Sequence, residues 1–64
     1  MLPHQLRVID EKCDLDQKIE RLTQFIEKNA LFEGLDDAEK SRLRIQKCVM
    51  ESYSTILGER IAAF

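Results

Sequence analysis

The stretch LRIQKCVMESYSTILGERIAAF, residues 43–64, repeats at intervals of seven. Leu43, Met50, Leu57 and Phe64 make one row, and Val49, Ile56 and Ala63 make a second beside it. A strand would alternate every second residue. A helix lying along a packed seam repeats near 3.5 residues, as here. A third row of Gln46, Tyr53 and Arg60 sets polar groups among the apolar ones. The pattern predicts one helix over residues 36–62, with both apolar rows on its buried face. Gly58 within it marks either a close backbone approach or a fraying end, at a cost of about 1 kcal/mol relative to alanine.

The first half of the chain carries the same signal. Val8, Leu15 and Leu22 recur every seven residues, and Ile19 and Ile26 follow the last two by four. Ile9 and Phe25 widen the seam. Pro3 suits a first helical position, where its missing N–H has no partner to lose. A helix over residues 3–28 follows, about 40 Å long. Asn29 offers a stop through its tolerance of the left-handed conformation. The loop over residues 29–35 holds Leu31, Phe32 and Leu35 and should fold back over the end of the helices. Asp36 then caps the second helix, with Glu39 placed to complete a capping box and Asp37 to suit the helix dipole.

Two helices with a short connection pack antiparallel, so residues whose numbers sum to about 65 should face each other. Val8 then meets Leu57 and Leu15 meets Met50, while Lys12 falls beside Tyr53 and Gln5 beside Arg60. The predicted fold is all-α, a single antiparallel two-helix hairpin. A chain of 64 residues buries only about 60% of its unfolded surface, so it needs disulfides, a metal or further copies. Cys13 and Cys48 form no dense framework and no secretory leader is evident, which predicts a cytoplasmic protein. Structural zinc wants closely paired ligands, and His4, Cys13 and Cys48 are scattered. Self-association into a helical bundle remains, with no metal or cofactor expected.

Ten Lys and Arg against twelve Asp and Glu leave a net charge of −2. That balance argues against a nucleic-acid binder, which relies on excess cations. No apolar run is long enough to span a membrane. Lys40, Arg42, Arg44 and Lys47 are basic without interleaved aromatics and read as a solvated face.

The candidate ligand site is the polar cluster where the hairpin opens: His4, Gln5, Arg7, Lys12, Tyr53 and Arg60. Arg and Lys offer donors to phosphate, Tyr stacks on a base, and Gln reads a base edge or ribose hydroxyl. The same residues also suit ordinary polar helix ends, with one or two fixing register. Lys12 and Arg60 occupy seam positions, where an unpaired cation is costly and a partner is needed. No nucleophile and base are spaced for catalysis: His4 lies far from Cys48, and Cys13 is outside the seam. An enzyme is not expected.

The segments Leu2 to Lys12, Leu15 to Ile19, Phe25-Ile26 and Tyr53 to Phe64 resemble a widespread group of short phage and prophage proteins named after a member from a crAss-like phage. The hairpin architecture is similar to that of phage proteins of the anti-CBASS and anti-Thoeris groups. Those form homo-oligomers that hold cyclic dinucleotides or cyclic ADP-ribose isomers between subunits. The resemblance implies a non-enzymatic phage anti-defence sponge acting in the host bacterial cytoplasm, with an ADP-ribose-type messenger or a cyclic oligonucleotide as partner. The other class consistent with the residues is an interaction module docking a protein through Ile45, Phe25 and Phe32.

Overall fold

Pro3 opens α1 (Pro3–Lys28) from an extended Leu2, whose N–H donates to the Gln5 side chain at 2.8 Å. Leu2 has no side-chain acceptor to return the bond, so this is half of a capping box. The computed structural model describes all residues from Met1 to Phe64. After α1 come a single helical turn, α2 (Ala30–Glu33), and a second long helix, α3 (Asp37–Ala62).

Asn29 does not take the left-handed conformation. Its φ of −101° and ψ of 124° are extended, and its side chain accepts from the Leu31 N–H at 2.9 Å, capping α2. A helical turn thus occupies a segment read from sequence as loop. Asp36 caps α3, accepting from the Glu39 N–H at 2.7 Å. The Glu39 carboxylate does not reach back to complete the box; it pairs with Arg42 Nε at 2.8 Å.

The short α2 turns Phe32 inward until only 1% of it is exposed. Phe25 of α1 meets it edge to face, with ring centroids 6.0 Å apart. Lys40 Nζ and Arg44 Cζ lie 5.7 and 5.1 Å from the ring centroid. Two members of the basic stretch therefore close the turn end by cation–π contact. Lys40 also approaches Glu33 at 3.8 Å, tying α2 to α3. With Phe32 buried and Phe25 half-buried, only Ile45 of the three apolar residues suggested for docking another protein is exposed.

The two long helices pack along a seam whose core is Val8, Leu15 and Leu57, with Ile19, Met50 and Ile61 against it. Leu57 is fully buried. The chain is all-α, and its long helices form a hairpin. The inner face of α3 differs from the sequence reading in one respect. Lys47, Ser54 and Ile61 accompany Leu43, Met50 and Leu57 there, while Val49 and Ile56 are 63% and 53% exposed. At 100° per residue, a row at 49, 56 and 63 sits one residue before the 50, 57 and 64 row and is swung off the seam. Tyr53 and Arg60 are exposed for the same reason, one residue short of Ser54 and Ile61.

The hairpin measures 46 × 15 × 13 Å. It exposes 4762 Å², against about 4,250 Å² for a compact protein of its 7.5 kDa mass. The excess is the cost of a rod with one seam.

Gly58 lies inside α3 with an ordinary helical backbone. A methyl group there would meet Lys12 Cε at 3.5 Å, an ordinary contact. Gly58→Ala is therefore expected to stabilise the hairpin by about 0.5–1 kcal/mol. A thermal melt at fixed protein concentration should show a rise of several degrees; a fall would mean that the Lys12 stem does not yield.

Candidate functional site

Lys12 stands at a seam position of α1, its side chain 30% exposed. Its ammonium donates to Ser54 Oγ of α3 at 2.8 Å and pairs with Asp16 Oδ2, one turn along α1, at 3.0 Å. Ser54 in turn donates to Asp16 Oδ1 at 2.5 Å. The three groups form a closed polar clasp between the helices, which satisfies a buried hydroxyl and a seam cation together. Sequence reading placed Lys12 beside Tyr53. The clasp uses the next residue instead, on the inner face of α3.

The clasp also bears on chemistry. A serine beside a lysine is a known nucleophile–base pair, but there the lysine must accept the hydroxyl proton. Here Lys12 donates to Ser54, and the hydroxyl donates to Asp16. The arrangement ties the two long helices together.

Asp16 is held below its usual carboxylate pKa of 3.8 by the Ser54 hydrogen bond first and the Lys12 bond second; desolvation opposes them, and the Lys12 charge adds least. A carboxyl depressed in the folded state contributes stability that is present above its unfolded pKa and fades as pH falls through the folded value. Wild type and Asp16→Asn should thus differ at neutral pH, the gap beginning to close at about pH 4 and closing only as pH falls through the depressed folded value. Denaturation midpoints across pH 2–7 check this; a constant gap down to the acid end would contradict the clasp.

Two grooves flank the hairpin. One, about 510 Å³, is lined by Arg7, Asp10, Glu11, Asp14 and Lys18 of α1 with Tyr53 of α3 at its edge. The other, about 630 Å³, includes Lys12, Asp16 and Arg21 with Ile9 and Ile61. Of the six residues singled out from sequence, Arg7 and Tyr53 share a groove, and Lys12 lines the opposite one. His4, Gln5 and Arg60 line neither. Gln5 is engaged at the start of α1, and Arg60 lies in the last turn of α3, where a cation complements the helix dipole. Lys18, Asp16 and Ser54 were not singled out. Lys12 and Asp16 at i, i+4 gave a sequence signal for their pair; the cross-helix role of Ser54 needed the rotation of α3.

Arg7 and Lys18 face three carboxylates in their groove, so one chain alone presents no net positive charge to an anion. Both thiols, Cys13 and Cys48, are free and exposed. No helix is long and apolar enough to cross a membrane.

Neither the curated proteins nor the solved structures include a match to this chain. A family model does match, over residues 2–63, which takes in both long helices and the turn between them. The chain belongs to the Sequestin family.

Proposed function

We propose that this chain is a non-enzymatic phage anti-defence protein that sequesters a nucleotide-derived immune messenger at junctions between its own copies. The observation that carries the reading is the family match, because the name Sequestin suggests a sequestering role. The Arg7–Tyr53 groove supports the choice of ligand. A guanidinium beside a phenol ring suits a phosphate attached to a base, and Lys18 adds a second cation. Its volume is in the range of small-molecule sites.

The carboxylates in that groove explain why copies must meet. A phosphate-bearing ligand needs more cations than one chain supplies; an exposed Arg60 can come from a neighbour, and the exposed His4 can add a hydrogen bond. Gln5 and Lys12 have partners already and contribute less. Sequestration asks only for tight binding and many copies. ADP-ribose-type messengers from TIR proteins come first, cyclic oligonucleotides second. Isothermal titration against both classes tests the proposal: saturable heat for one of them is expected, and a folded sample silent to all would reject it.

A further inference from the structure

α3 is apolar on two sides. Its inner face packs on α1, and directly opposite runs a second heptad row, spaced four and three residues alternately, whose every member is exposed. At its centre lie Ile45, Val49, Ser52 and Ile56, with the three aliphatic residues 62%, 63% and 53% exposed. Single exposed apolar residues are normal, but a continuous row at seam spacing marks a contact surface. The spacing of the row is the same read in either direction. About a midpoint between Met50 and Glu51, Ile45 mirrors Ile56 and Val49 mirrors Ser52. The next positions outward are Arg42 and Glu59, of opposite charge, and beyond them Ala38 and Ala63.

We infer that a second copy docks here, α3 against α3 in antiparallel two-fold pairing, with Arg42 of each copy against Glu59 of the other. Three observations choose this occupant. A two-fold interface demands that each residue find its own mirror partner, and this row supplies like-with-like at the isoleucines and opposite charge at the flanks. Glu59 has no ion pair within its own chain, and the exposed Arg42 side chain, held to Glu39 at 2.8 Å, is shared with it in the pairing. The hairpin also exposes more surface than a compact monomer of its mass, and Ile45, Val49 and Ile56 are the most exposed large apolar residues of α3.

The pairing deepens the proposed function, resting on its self-association and not on its ligand. Gln46, Tyr53 and Arg60 each follow a row member by one residue, so they line one flank of the seam. Antiparallel pairing brings that flank of one copy against the same flank of the other. Each copy's Tyr53 then lies level with Cys48 of the other, beside the Lys18 end of the Arg7 groove, while Arg60 lies level with Ser41, beyond it.

Charge reversal and one distance test it. Arg42→Glu or Glu59→Arg places like charges at both ends of the seam and should raise the dimer Kd about tenfold. Combining them should restore it to within about threefold. Ile45→Glu should abolish association while helicity persists, since Ile45 is exposed in the single hairpin. A spin label on Ala38→Cys, in a Cys13→Ser/Cys48→Ser background, should report about 35–40 Å between copies. Sedimentation showing a monomer at high concentration, a Kd indifferent to the reversals, or a short label distance each overturns the pairing. Nucleotide titration of the same samples judges the messenger separately: an oligomer of another geometry that still binds leaves the function standing.

Discussion

Replacing Phe32 by alanine is expected to cost about 3–5 kcal/mol, enough to leave much of the chain unfolded at room temperature. No other residue concentrates so much at one point. The ring is 1% exposed, meets Phe25 edge to face at 6.0 Å and lies beneath Lys40 and Arg44. Truncation leaves a cavity at the turn and removes the ring contacts of both Lys40 and Arg44. Only four apolar residues are buried in the whole chain, so little remains to compensate. Denaturant titration at fixed concentration measures the loss. Phe25→Ala, at a half-buried site, should cost clearly less. A Phe32 variant within about 1 kcal/mol of wild type would show that the turn does not hold the helices together.

The second large effect concerns binding. Arg7→Glu is expected to weaken messenger affinity about 100-fold, because it removes a charge-assisted bond to phosphate and sets a fourth carboxylate in the groove. Arg7 is exposed, so the melting temperature should hardly move. Lys12→Met should do the reverse. Its ammonium is spent on Asp16 and Ser54, so its loss should lower stability and leave affinity within about threefold. A Lys12 variant that folds normally and loses the ligand would return Lys12 to the binding site.

The heptad rows make the hairpin legible because the seam of α1 is unambiguous: Val8, Leu15, Leu22, Ile19 and Ile26 all turn inward or lie half-buried. On α3 the rows mislead. Hydrophobicity favours Val49 and Ile56 over Lys47 and Ser54 as partners for Leu57, yet the structure buries Ser54 and exposes both aliphatics. The two candidate rows lie two residues apart, about 200° of helix rotation, one on each flank of Leu57, and composition alone does not rank them. The hydroxyl wins its place because Lys12 and Asp16 satisfy it across the seam. The resulting rotation of α3 separates Lys12 from Tyr53, so the candidate site read from sequence divides between two grooves. Asn29 was legible as a break and not as a cap, since its side-chain bond to Leu31 depends on the turn that follows.

Native mass spectrometry of protein purified from cells that make the messenger tests sequestration most directly. The expected spectrum is an oligomer carrying a nucleotide whose mass, after release by heat, equals that of the untouched messenger. A folded protein that emerges empty, or that yields a cleaved nucleotide, would contradict it.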